Sequence, residues 1–518
     1  MPLQLRSGLA TVAAALLMLS AAPAGAEEGT HSPNMTHVLN LPHRVRSVSG
    51  QPGGGGTDIE FTTLAVARRD ADGNPICVTK NPRRPNGKCQ TDADGNVVFE
   101  MEPRDFALAG SYDNGLQIVD ITDPTAPSTA AVYDCVIRQG DVQAFKRDGR
   151  TYVTYTHDDP YRAGTDSTCY QEARALGLFG DGVNPAGTFV VDITDPYAPT
   201  TVSFISEPRG SHNQTVAPGG RYLYNSNSDL NRLPATIEVF DISDFNSPRK
   251  VFTLPLDTGL NSHDITFNED GTRAYSAALT HSLVLDTTDQ ARPQIIGRIV
   301  DPAINIHHQS DPVTLVDETL GEERTFLVIT DELAGAAGNA VCPGGGLHVY
   351  DLTGSLERNP VKVGVWNMPE FRFTGTDNLT CTSHVLRMYP DQQVMTIAWY
   401  NAGVRVVDIS GLVGVSVGVD ETVGNVGPGM REVGYHYFPN SDTWSVKTNR
   451  IEPDGSFYLY GNDLNRGLDV YRFDAGAPVS SGGGTWLSAQ EAAGMVATAD
   501  PTDASFGPSC LWRGFEVG

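Results

Sequence analysis

The stretch "GLQIVDITDPTAP", residues 115–127, decides the fold. Its first half carries β-branched residues at period two, the pattern of a strand. Its second half stops that strand, because proline cannot donate to a ladder and the Asp before it caps a turn. The phrase returns as "TFVVDITDPYAP" (188–199), "TIEVFDISDFNSP" (236–248) and "SLVLDTTDQARP" (282–293). Weaker copies follow as "GLHVYDLTG" (346–354), "GVRVVDISG" (403–411) and "GLDVYRFDAG" (467–476). The strand ends on Asp120, Asp192, Asp241, Asp286, Asp351 and Asp408, with Arg472 in the last copy.

A second phrase also repeats. "SHNQTVAPGGRYLYNSN" (211–227) matches "SHDITFNEDGTRAYSAA" (262–278), each a strand, a tight Gly turn and another strand. The unit is therefore four antiparallel strands, a to d, with the signature phrase as strand c. Seven such units with no helical period between them predict an all-β fold, a seven-bladed β-propeller. The last unit supplies strands a, b and c alone. "MTHVLNLPHRV" (35–45) reads as an orphan strand d, and pairing the two would close the ring and cover its edge. The propeller is expected over 27–474, with a Gly-, Asp- and Pro-rich loop insert at 68–97 and a flexible tail at 475–518.

These phrases resemble the LVIVD-repeat family over roughly residues 57–473. The resemblance implies a propeller. It implies little about activity, because propellers host many functions.

The chain opens with "MPLQLRSGLATVAAALLMLSAAPAGAEEG", a basic start, an apolar run and a small-residue cleavage site after Ala26. That predicts a signal peptide over 1–26 and a secreted or periplasmic protein. No later run is long and apolar enough to span a membrane. The formal net charge of −26 argues against nucleic-acid binding. Seven cysteines in an exported chain suggest disulfides. Cys77 with Cys89, Cys135 with Cys169, and Cys342 with Cys381 are the plausible pairs, leaving Cys510 over.

The chemistry lies just ahead of strand a. His263 stands eight residues before the turn residue Gly271, and His212 eight before Gly220. The same count gives His384 before Gln392, Asp141 before Gly149 and Lys447 before Gly455. The fifth unit offers His308, or His307 if the register slips by one, and the first offers Asp58. Strand a is the innermost strand of a blade, so these seven positions would form a ring about the axis. His212, His263, His308 and His384 would converge, with Asp141 able to complete a metal shell. Imidazoles suit zinc, copper, iron, nickel or manganese. Asp264 and Asp311 could orient an imidazole from behind. Lys447 on the ring would suit an anionic ligand. The plainer reading is that these side chains hydrogen-bond neighbouring blades.

Carotenoid-cleaving oxygenases hold iron with four histidines on a propeller axis, and methanethiol oxidases of the selenium-binding-protein family pair propeller histidines with copper. This chain is similar to them in the ring arrangement alone. Asp229 and Asp463, in "SDLNR" and "NDLNR", and Asp331 before Glu332 fall in b–c loops, where they could line a pocket rim or bind calcium. No nucleophile-elbow, zincin, haem or phosphate-loop motif is present. The leading expectation is an exported, monomeric, metal-binding propeller with oxidoreductase chemistry on a small molecule. The alternative is a non-enzymatic propeller that binds a protein or glycan through its top-face loops.

Overall fold

The computed structural model describes residues 29–45, 53–80, 88–112, 114–158, 166–178, 186–207, 210–228, 233–317, 321–332, 345–368, 381–414, 429–476 and 485–486. The expected signal peptide, Asp229, Cys342 and Cys510 lie outside them.

The strands pair into seven antiparallel sheets, the blades of a β-propeller. Strands a are Gly56–Ala67, Gln139–Arg147, Asn213–Val216, Asp264–Phe267, His307–Asp317, Leu386–Tyr389 and Thr443–Lys447. Strand d of the seventh blade is Met35–Leu41, which pairs antiparallel with Gly467–Phe473, setting Thr36 opposite Arg472. Two short additions extend other blades: Thr30–His31 pairs with Arg431–Tyr437, and Thr485–Trp486 pairs with Val361–Asn367.

The signature aspartate has two jobs. One carboxylate oxygen caps the turn after strand c: Asp120 accepts from Thr122 N–H, Asp192 from Thr194, Asp241 from Ser243, and Asp408 from Ser410, at 2.9–3.1 Å. The other oxygen takes an arginine at the outer face, Arg104 for Asp120, Arg221 for Asp241 and Arg431 for Asp408. In the first four phrases a second Asp caps the next turn, as Asp123 does for Thr125 and Asp195 for Tyr197. Strands c and d then lose register by a bulge at a recurring point, between Val239 and Phe240, Val284 and Leu285, and Val349 and Tyr350. Such bulges increase twist.

Each interface between blades holds its own apolar cluster. Phe106 and Phe189 belong to the one between the first two blades, Trp366 and Trp399 to the one between the fifth and sixth, and Ile59 and Val470 to the one that closes the ring. Each alternating strand thus buries residues on both faces, so the repeat stays apolar along its length.

Two disulfides are present among the described residues. Cys77–Cys89 closes the insert of the first blade, and Cys135–Cys169 ties the end of strand d of that blade to the helix Thr168–Ala175. Cys381 is also disulfide-bonded. No helix of the described residues is long and apolar enough to cross a membrane.

Candidate metal centre

Three blades position a histidine in the same way. Just ahead of strand a, His212 donates its backbone N–H to Ser226 O, His263 to Ala277 O, and His384 to Ala398 O, at 2.7–3.0 Å. In the fifth blade the a–b pairing slips between His307 and Gln309, and His308 occupies the bulge. The bulge resolves the two neighbours. His308 joins the other imidazoles, whereas the His307 Nδ1 lies 2.8 Å from Ser282 Oγ in the adjacent blade.

The four imidazoles form an arc. Ring centroids lie 4.4 Å apart for His212 and His263, 4.3 Å for His263 and His308, and 4.2 Å for His308 and His384. All four residues are buried. Glu332, directly after strand b of the fifth blade, completes the group. Its Oε2 lies 3.7 Å from His308 Nε2 and its Oε1 3.7 Å from His384 Nε2. Ligand atoms of His263, His308 and Glu332 all fall within 4.8 Å of one another.

The hydrogen bonds fix which nitrogen faces the centre. His384 Nδ1 lies 2.6 Å from Trp444 O. A carbonyl only accepts, so Nδ1 carries the proton and Nε2 is a bare lone pair, and Nε2 makes no hydrogen bond among the described residues. His212 Nδ1 likewise lies 3.0 Å from the Asp158 carboxylate, leaving its Nε2 as acceptor, 3.1 Å from the Gln139 amide nitrogen and 3.0 Å from His263 Nε2. This is the outer-partner arrangement that orients metal-bound imidazoles. Burial pushes His263 and His308 well below the ordinary histidine range, and the neighbouring imidazoles add to the effect. His384 falls to about 3 through burial, partly opposed by the Trp444 carbonyl. All three are neutral at pH 7 and offer lone pairs.

The remaining ring positions differ from the sequence count. In the seventh blade the bulge between Thr443 and Ser445 puts Trp444 at the histidine level, edge-on to His384 with centroids 4.7 Å apart. Lys447 lies deeper, where its Nζ sits 2.8 Å from Asp58 Oδ1 and 2.8 Å from Glu60 Oε1. Its charge is thus satisfied within the protein and is not presented to an anionic ligand. Asp58 and Asp141 sit in matching bulges of the first two blades. Asp141 does not join the imidazole group; its Oδ2 accepts from Gln214 N–H at 3.0 Å. Asp331 and Asp463 are buried braces instead of rim ligands. Asp331 accepts from Asn305 and Ile306 N–H, and Asp463 from Asp442 N–H and Thr443 Oγ1. Glu332 was the member that residue counting did not place with the histidines. The available signal was that it directly follows strand b of the blade carrying His308.

A cavity of about 590 Å³ follows the axis. His308, His384 and Trp444 line its inner end. It reaches the surface past the a–b turns, at the exposed Gly219 and Glu269. The imidazoles lie at the end of the blades that carries the b–c loops, yet the cavity that reaches them enters from the opposite face. Its wall is rich in carboxylates. Burial, with Asp311 and Asp58 nearby, raises Asp264 to about 7. Burial, Asp58 and Asp264 raise Asp141 well above the carboxylate range.

The fold and this group define a class, seven-bladed propellers with a buried axial cluster of imidazoles and a carboxylate. Within that class the chain carries the LVIVD repeat: the model of that repeat matches residues 105–135, strands b to d of the first blade. No curated protein matches the sequence. Among solved structures the chain is similar to the hydrazine synthase of Kuenenia stuttgartiensis, with 14% identity over 71% of this chain and 93% of that chain and a TM-score of 0.42. It is also similar to the periplasmic gluconolactonase of Pseudomonas aeruginosa, with 14% identity over 75% of this chain and 94% of that chain and a TM-score of 0.34. Likeness at this level carries no argument about chemistry.

Proposed function

We propose that the protein is an exported metal-dependent oxidoreductase acting on a small molecule, with a first-row transition metal held by His263, His308 and Glu332 and flanked by His212 and His384. The observation that carries the reading is the inward convergence of imidazole Nε2 atoms on a buried carboxylate. Two nitrogens bound to one such metal at about 2.0–2.1 Å stand roughly 3.0–3.4 Å apart. Between the proposed ligands His308 Nε2 and Glu332 Oε2 the distance is 3.7 Å, so a small inward adjustment brings them into that reach. The nitrogen-rich donor set selects iron, copper, zinc or manganese over calcium or magnesium, and the redox members of that group supply electron transfer when bound. The cavity leaves the inner face open to a substrate. The chain's own contribution is to keep the imidazoles neutral, orient them from behind and exclude bulk water.

Metal analysis of the purified protein tests the reading. About one transition-metal ion per chain is expected, falling at least tenfold in His263→Ala/His308→Ala with the β-sheet circular dichroism retained. A wild-type protein that carries no metal, and whose melting temperature does not respond to added iron, copper, zinc or manganese, would sink it.

A further inference from the structure

The channel wall is more acidic than its cations can balance. Lys447 and Arg387 are the basic side chains at its centre, and both are spent on Asp58 and Glu60. Three further carboxylates line the same cavity: Asp141, Asp264 and Asp311. Each takes hydrogen bonds from neutral donors only, Asp141 from Gln214 N–H, Asp264 from Ile265 N–H, and Asp311 from Thr266 Oγ1 and Gln309 Nε2. None forms an ion pair among the described residues.

These carboxylates are not arranged to hold a metal ion. Among the described residues, only His263, His308 and Glu332 bring three ligand atoms within 4.8 Å of one another. A compact cation needs its oxygens focused on one point. Carboxyl oxygens spread along a wall, interleaved with the amides of Gln139, Asn213 and Gln309, suit an organic cation whose N–H donors are themselves spread and whose charge favours their ionised form. The cavity volume of about 590 Å³ is that of a small-molecule site. A second feature points to a ligand at its inner end. His384 lines the cavity, is fully buried, and keeps its Nε2 lone pair without a hydrogen bond.

We propose that the axial channel binds small amines in their ammonium form, on Asp141, Asp264 and Asp311, and delivers them to the histidine cluster while turning anions away. That the bound amine is the substrate rests on the metal-centre reading; that it binds does not.

Calorimetric titration of the full chain, stripped of metal by a chelator, tests the site with 1,4-diaminobutane and with succinate, an anion of the same chain length. Diaminobutane is expected to bind at least tenfold tighter than succinate, with an affinity that falls as salt rises. Asp264→Asn/Asp311→Asn should weaken it at least tenfold. Equal or tighter succinate binding, no diaminobutane binding, or undiminished binding by a folded double variant would each overturn the proposal. Should that variant fail to fold, a wild-type diaminobutane affinity indifferent to salt would overturn it as well. Diaminobutane binding by a protein that never takes up metal would sink the metal centre and leave the amine site standing.

Discussion

The Tyr400 hydroxyl donates to Glu332 Oε1 at 2.7 Å, joining the b–c turn of the sixth blade to the end of strand b of the fifth. Both residues are fully buried. Tyr400 adopts a left-handed φ of 42°, held by its carbonyl accepting from Gly403 and Thr443 N–H. The bond aims the carboxylate at the imidazoles. Tyr400→Phe should therefore leave the fold intact and lower metal affinity by about 10–100-fold, the usual effect of losing an outer partner of a ligand. Competition against a chromogenic chelator measures this.

Acid should destabilise the metal-free protein through its buried histidines. His384 and His307 both titrate near 3 in the folded chain, against 6.5 when exposed, chiefly because of burial. The unfolded state therefore binds more protons between these values, so stability rises with pH across that window and is fully present above about pH 6.5. Each such group contributes a slope of up to about 1.4 kcal/mol per pH unit. Urea midpoints recorded from pH 4 to 7 should fall with acid, and His384→Gln should flatten the slope by about one proton's worth.

Asp264 works in the opposite direction. Its folded value near 7 lies above the ordinary 3.8 because of burial and of Asp311 and Asp58. The folded state holds the extra proton, so its stability contribution is present below about pH 4 and is lost as pH rises through 7. Asp264→Asn should stabilise the protein at pH 8 by about 1–3 kcal/mol, discounted for a half-buried group, and have little effect at pH 4. Thermal melts at the two pH values check the sign.

The Cys135–Cys169 bridge closes a segment with a sequence separation of 34 residues and anchors a helix whose buried face is Cys169, Tyr170 and Ala173. Loop-closure entropy makes it worth about 3–4 kcal/mol. Cys135→Ser/Cys169→Ser should lower the melting temperature and expose the 166–178 segment to protease before the blades unfold. Reduction of the wild type should reproduce both effects.

Residue counting found the histidines of the third, fourth and sixth blades because strands a and b there pair without a break, from Asn213 to Val216, Asp264 to Phe267 and Leu386 to Tyr389. It failed in the seventh, where an inserted residue at Trp444 moves Lys447 off the ring level. In the fifth blade the same kind of bulge decides between His307 and His308. A bulge adds a residue without a sequence mark, since most side chains tolerate it. Glu332 escaped for a different reason. It reaches the cluster from just past strand b, and nothing local distinguishes it from Asp331 beside it, the last residue of that strand.

The sequence by itself determined the propeller. A strand that ends on Asp, repeated through the chain, satisfies its own turn and its own outer arginine, so local chemistry repeats the blade and apolar alternation stacks blades into a ring. Only the tertiary structure decided which histidines meet, which nitrogens face inward, that Glu332 joins them, and that a cavity lined by His308 and His384 opens past the a–b turns. Those facts depend on atoms from different blades approaching within about 4 Å around a shared axis, a distance that no spacing along one chain encodes.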